Sequence, residues 1–153
     1  MTIGESVSNH VIDALKRIAV ANGYQTDAGV NVHRGRRPTH ISETAPGSLP
    51  AIVVRCEASP TSSAQPRRAI KRREISVTCV ALVASDDYEA TLDALAEDID
   101  RALLGLTHLD AQPAPITGIE MTGPEYTHPE PGSNLCAVTF TVSVSYVLTL
   151  KED

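Results

Sequence analysis

The residues best suited to binding chemistry in this sequence are five basic side chains that fall within seven positions. They lie in the stretch QPRRAIKRREISVTC, residues 65–79, and are Arg67, Arg68, Lys71, Arg72 and Arg73. A smaller cluster follows the first predicted helix: Arg34, Arg36 and Arg37. Such groups can bind a nucleic acid, an anionic substrate or an acidic protein surface. This concentration of positive charge is unexpected, because the chain as a whole is acidic, with 13 Lys and Arg against 19 Asp and Glu.

No catalytic or cofactor motif accompanies these cations. The sequence has no G-x-G-x-x-G, P-loop, G-x-S-x-G or H-E-x-x-H pattern. The histidines are scattered over different elements and lack paired ligand spacing, so they give no support to a metal site: His10, His33, His40, His108 and His128. We therefore predict no catalytic, cofactor-binding or metal-binding residues.

The negative charge is concentrated in one predicted helix, at residues 85–106. Asp93, Glu97 and Asp100 follow one another at spacings of four and three, on the side opposite a leucine stripe. We interpret the acids of this helix as a solvated face: Asp86, Asp87, Glu89, Asp93, Glu97, Asp98 and Asp100. Basic loops and an acidic helix face can match head-to-tail between copies, and such contacts can close into a ring. The alternative is that exposed loops simply collect arginine.

Composition predicts a single globular domain over residues 1–153. The hydrophobic content is 42%, and the length allows a real core without disulfide or metal support. Aromatic residues make up only 3%, which argues against base-stacking surfaces. The first residues lack a secretory signal, and no apolar run approaches the roughly 20 residues needed to cross a bilayer, so we expect a cytosolically made protein without a membrane partner. The cysteines are expected to be buried free thiols: Cys56, Cys79 and Cys136.

Periodicity predicts two helices. The first covers residues 2–21 and ends at Asn22-Gly23, with an apolar stripe formed by Ile3, Val7, Val11, Leu15 and Ile18. The second covers residues 85–106 and ends at Gly105. Its buried stripe comprises Tyr88, Leu92, Leu95, Ile99 and Leu103.

Alternating apolar residues predict the strands, at residues 30–33, 49–57, 73–83, 116–123 and 135–150. Residues 33–48 and 58–72 are predicted to be polar loops, the second joining two strands into a long β-hairpin. The last strand is expected to face the core with Cys136, Val138, Phe140, Val142, Val144, Tyr146, Leu148 and Leu150. This order of elements predicts an α+β fold, in which two helices pack on one face of a mainly antiparallel sheet.

These elements resemble the tail-terminator (tail-completion) proteins of long-tailed bacteriophages. The likeness lies in the N-terminal helix ending at NGY and in LPAIVV, which leads into a hairpin returning as RREISVTCVAL. It continues in the helix YEATLDALAEDIDRAL and the terminal strands GIEMTGPEY and LCAVTFTVSVSYVL, and so covers nearly the whole chain.

The resemblance implies a structural virion protein of the phage tail, made in the host cytoplasm. Members form a hexameric ring that stops polymerisation of the tail tube protein and offers a surface to the head–neck connector protein. They are not enzymes and need no cofactor. With the charge pattern, this gives an expected assembly interface of Arg34, Arg36, Arg37, Arg67, Arg68, Lys71, Arg72, Arg73, Asp93 and Glu97. The arginines would meet an acidic neighbour or line a lumen through which DNA passes.

Two other functions stay open at this point. A neck connector protein of the same virion would have a similar size and origin. A small nucleic-acid-binding protein would also explain basic loops, although a net charge of −6, the scarcity of aromatic residues and the lack of a reading helix argue against it.

Overall fold

The computed structural model describes residues 2–35, 50–82, 87–107 and 116–149. Within these ranges the chain forms two α-helices, α1 (Ile3–Leu15) and α2 (Tyr88–Thr107). Two single-turn 3₁₀-helices, Val20–Asn22 and Ala28–Val30, follow α1. The strands are β1 (Val32–Arg34), β2 (Ala51–Ala58), β3 (Thr61–Gln65), β4 (Arg68–Leu82), β5 (Ile116–Thr127) and β6 (Leu135–Thr149).

The six strands form one sheet in the order β1-β2-β4-β6-β5, and β3 pairs with β4 beyond the end of β2. The pair β1–β2 is parallel and the other described pairs are antiparallel. Strands β4 and β6 pair without a break from Arg68 opposite Thr149 to Leu82 opposite Leu135. The predicted α+β fold with a mainly antiparallel sheet is therefore confirmed.

One face of the sheet carries the core. Alternate residues of β4 and β6 are buried beneath residues of α1 and α2, so both helices pack on this face, as predicted. The opposite face, called the open face below, is largely polar and has its own small buried pair, Ala51 and Val53. The predicted stripes of both helices are buried, except that Tyr88 is half-buried and Ile3 is 37% exposed in the first turn.

The first helix is shorter than predicted. It ends at Leu15, and the chain turns back through the two 3₁₀-helices while Ile18 stays buried. Gly23 has the left-handed conformation expected of a stop residue, with φ of 90°, but it ends a 3₁₀-helix. The early stop follows from a close approach: the Gly29 N–H donates to the Ile18 carbonyl oxygen at 2.9 Å, which the continued helix would prevent.

A buried carboxylate holds this turn against α2. Asp98, counted above among the acids of a solvated face, is 0% exposed. Its oxygens accept hydrogen bonds from the Gln25 and Thr26 backbone N–H groups at 2.9 and 2.8 Å, and from the Thr26 hydroxyl at 2.7 Å. A charge this deeply buried needs such partners, and three donors supply them.

Residues 58–72 are not the predicted flexible loop. They contain β3 and the start of β4, joined by a two-residue turn at Pro66 and Arg67. Arg67 has a φ of 68°, and a proline followed by a positive φ is the signature of a type II turn. The hairpin is confirmed, and it is longer than predicted because β6 also pairs with this part of β4.

Several boundaries differ for local reasons. Helix α2 continues past Gly105 because Leu106 is buried in the same stripe. Strand β5 continues past Pro124 through a shift in register, which an edge strand tolerates. Leu148 is 42% exposed because β6 there pairs only with the projecting part of β4. Val83 and Leu150 lie outside the described residues.

The cysteine prediction is correct for Cys79 and Cys136, which are buried free thiols, and wrong for Cys56, which is exposed. Strand β1 ends opposite Val54, so β2 from Arg55 onward is an edge of the sheet. Burial raises the pKa of the Cys79 thiol to about 12 and also raises that of Cys136. These two thiols are therefore protonated and unreactive near neutral pH.

Replacing Gly29 by alanine should destabilise the fold. A Cβ there would lie 2.7–2.8 Å from three backbone carbonyl oxygens, those of Leu15, Lys16 and Ile18. We expect a loss of about 1–3 kcal/mol in the free energy of unfolding, measured by chemical denaturation. Gly105→Ala is the matched control, because a Cβ at this helical position would meet open space. This substitution should increase the free energy of unfolding by about 0.5–1 kcal/mol, since alanine favours a helix more than glycine does. Equal effects of the two substitutions would contradict this account.

Removing the buried carboxylate should cost more. In Asp98→Ala the backbone donors of Gln25 and Thr26 lose their acceptor, and we expect a loss of about 3 kcal/mol or more by the same measurement. The exposed Asp13→Ala, inside α1, should change stability by only about 0.5 kcal/mol. An Asp98 variant as stable as the Asp13 variant would show that the hydrogen bonds of the Asp98 carboxylate do not stabilise the fold.

Candidate assembly interface

Strands β3 and β4 place the larger basic cluster at one end of the sheet. We call residues 61–73 the distal hairpin: β3, the turn and the first six residues of β4. Its sequence holds all five cations of the cluster and no acid. Because side chains alternate along a strand, Arg68 and Arg72 lie on the open face, while Lys71 and Arg73 lie on the face that Ile75 shares with the core.

The cations of the distal hairpin have different local partners. The Arg73 Nε donates to the Ser8 hydroxyl at 3.0 Å, so this half-buried side chain ties β4 to α1. The Lys71 Nζ donates to the Thr61 hydroxyl at 3.2 Å, across the hairpin. The Arg72 Nη2 lies 3.4 Å from Ser143 Oγ and 3.9 Å from Glu120 Oε2, an exposed pair that adds little stability. Arg67 and Arg68 are exposed at the turn.

A shallow groove of about 410 Å³ opens at the end of the distal hairpin. Its lining includes Ala64, Ala69 and the exposed Leu148, together with Arg67 and Arg68. We call this the hairpin groove. Apolar and cationic lining residues together suit a partner surface that combines apolar contacts with negative charge.

The smaller basic cluster is only partly described. Arg34 is exposed at the end of β1, where its strand pairs with β2 opposite Val54. Arg36 and Arg37 lie outside the described residues. The predicted role of this cluster in assembly therefore stays a prediction.

Both predicted acidic interface residues are exposed on α2 and also make contacts within the chain. Asp93 accepts a hydrogen bond from the Tyr126 hydroxyl of β5. Glu97 accepts from Gln25 Nε2 at 2.6 Å and from Arg101 Nη2 at 2.7 Å. Sequence patterns could not predict the tyrosine contact, because it joins residues 33 positions apart.

These contacts define an electrostatic environment that the sequence also did not reveal. The hydrogen bond to Asp93, followed by partial burial and the nearby acids of α2, raises the pKa of Tyr126 to about 12. Partial burial raises the pKa of Asp100 as well. The residues that act on Tyr126 include Glu89, Asp93 and Asp100, so these acids lie on the side of α2 that faces β5.

The basic and acidic residues are not brought together within one chain. Tyr126 pairs with Val138, which in turn pairs with Cys79, so the Asp93 carboxylate lies near the level of Cys79 along β4. Arg68 lies eleven positions away along the same strand, at about 3.3 Å per residue, or roughly 36 Å. The predicted interface thus consists of two separate surfaces.

The described residues contain no group of three or more His, Cys, Asp or Glu placed to hold a metal ion. A second groove of about 540 Å³, between α2 and the start of β2, is lined mainly by apolar or small side chains, including Pro50, Ala81 and Leu95. Its acid, Asp27, accepts from the Val20 backbone N–H at 2.8 Å. None of the described helices is both long and apolar enough to cross a membrane.

Comparison with known proteins gives matches among solved structures only. No family model matches the chain, and no curated protein matches it. Among solved structures, a chain from the virion of a native gene transfer agent particle superposes with a TM-score of 0.58 at 15% identity. The match covers 90% of this chain and 92% of the other. The two chains share a fold. At 15% identity, the match shows a common fold over nearly the whole of both chains, and it does not show a common function.

The tyrosine contact predicts an alkaline transition. Tyr126 donates to Asp93 as a neutral phenol, so its folded pKa lies above the unfolded value near 10. Its contribution to stability should be complete below pH 10 and lost as the pH rises through about 12. In an ultraviolet absorbance titration, Asp93→Asn should lower the pKa of one tyrosine towards 10, and Tyr126→Phe should remove that tyrosine. Identical titrations for Asp93→Asn and the unsubstituted protein would refute the contact.

Proposed function

We propose that this chain is a structural protein of a phage or phage-like virion. The observation that carries the proposal is the fold shared over nine-tenths of both chains with a component of a gene transfer agent virion. A long hairpin projecting from a helix-covered sheet suits a protein that acts by assembly.

Within the virion we propose the role of tail terminator. The chain would form a hexameric ring on the finished tail tube, stop further addition of tube protein and present its other side to the head–neck connector. The order of elements supports this role, since the helix, hairpin, helix and terminal strands follow one another as in that family. The basic residues of the distal hairpin would face a neighbouring subunit or the DNA in the lumen.

The first test is the mass of the purified protein. We expect a hexamer of about 98 kDa, from six chains of 16.3 kDa, by light scattering coupled to size-exclusion chromatography. Negative-stain images should show rings with a central opening. A monomer at every concentration tested would contradict the self-assembling ring.

A second arm of the same test separates a terminator from a neck connector. Purified tail tube protein that is polymerising should stop growing when this protein is added, because a terminator caps the open end of the tube. A connector would leave tube length unchanged and bind only after the cap is in place. Tube lengths measured with and without the protein by electron microscopy decide between the two roles.

A further inference from the structure

The hairpin groove and the acidic side of α2 are complementary surfaces at opposite ends of one molecule. Four acids follow one another on α2 at spacings of four, four and three, which we call the acidic stripe: Glu89, Asp93, Glu97 and Asp100. The distal hairpin has five cations and no acid. The distal hairpin thus contributes only basic charge, with Glu120 of β5 beside Arg72, and the surface of the acidic stripe is predominantly acidic.

The two surfaces cannot neutralise each other within a chain. At about 3.3 Å per residue, Arg68 lies roughly 36 Å and Arg73 roughly 20 Å along the sheet from the level of the Asp93 carboxylate, and both distances exceed the screening length of about 8 Å at physiological salt. Contact between them therefore requires a second molecule. A second copy of this chain is the partner that always carries the matching surface.

Two carboxylates of the acidic stripe are already held in place by hydrogen bonds within the chain. Tyr126 holds the Asp93 carboxylate, while Gln25 and Arg101 hold that of Glu97. A carboxylate can accept about four hydrogen bonds, so each of these groups retains acceptor capacity. Side chains that are already fixed lose less conformational entropy when a partner binds.

We infer that the hairpin groove of one chain binds the acidic stripe of α2 in the next chain. The inference rests on the proposed function and names the subunit contact of the ring. Arg67 and Arg68, which line the groove, meet the carboxylates, and Leu148 with the other apolar lining residues packs against the body of the helix. Each copy has one groove and one stripe, so the contact is heterologous and propagates around a closed ring.

The test reverses charge on each surface separately and then on both. The groove variant is Arg67→Glu with Arg68→Glu. The stripe variant is Glu89→Lys with Glu97→Lys, which spares the bond between Asp93 and Tyr126. We expect each variant to need at least about tenfold more protein to assemble, because two attractive ion pairs become repulsive at every interface. The chain carrying all four substitutions should assemble again through exchanged charges.

Two controls keep the result interpretable. Lys16→Glu with Arg17→Glu makes the same change in net charge on an exposed part of the chain outside both surfaces, and should assemble as the unsubstituted protein does. Thermal unfolding of every variant, followed by circular dichroism, should show that the fold is retained. A groove variant that loses assembly because it unfolds would be replaced by Leu148→Glu, which places a negative charge in the groove from strand β6.

The possible failures differ from one another. If the groove and stripe variants assemble like the unsubstituted protein, this contact is overturned and the ring itself stands. If the unsubstituted protein never assembles, both the proposed ring and the proposed contact are wrong. If the groove variant assembles normally but loses binding to a short DNA duplex that the unsubstituted protein binds at physiological salt, the occupant of the groove is nucleic acid and the inference is wrong.

Discussion

The unbroken ladder between β4 and β6 determines the dimensions of this molecule. Each strand has 15 residues, which at about 3.3 Å per residue span roughly 50 Å. The 13 residues of α1 span only about 20 Å and the 20 residues of α2 about 30 Å. Helices of these lengths cover the core and leave one end of the ladder bare. The exposed Leu148, Arg67 and Arg68 lie at that bare end, where no helix requires apolar partners.

Buried and exposed charges have different roles in this fold. Asp98 lies in the interior, where loss of its donors would leave an unpaired charge, so it fixes the path of the chain after α1. Arg72 and Glu120 form an exposed pair at 3.9 Å, which water screens strongly. Exposed charges change the stability of the monomer little, so their positions can be determined by the surface of a partner. The basic end and the acidic helix are of this exposed kind.

The sequence predicts the fold well where burial is periodic. The alternation in β6 and the stripe of α2 identify the core-facing residues from Cys136 to Tyr146 and from Leu92 to Leu103. It fails where structure depends on a distant partner. Strand β3 is polar on both faces and exists because β4 pairs with it, and Asp98 is indistinguishable from its neighbour Glu97 until Gln25 and Thr26 are placed. Of the candidate interface, the residue types were predictable, but the division of β4 cations between two faces required the strand register.

The contrast among the three cysteines has a practical consequence. Cys79 and Cys136 are buried in the core, and protonated thiols react slowly with maleimides, while Cys56 is exposed on the edge of β2. A fluorophore or spin label can therefore be attached at one position without substituting any residue. Cys56 lies between the helix-covered body and the distal hairpin. The emission of a fluorophore or the mobility of a spin label attached there would therefore change when a neighbouring molecule approaches this edge.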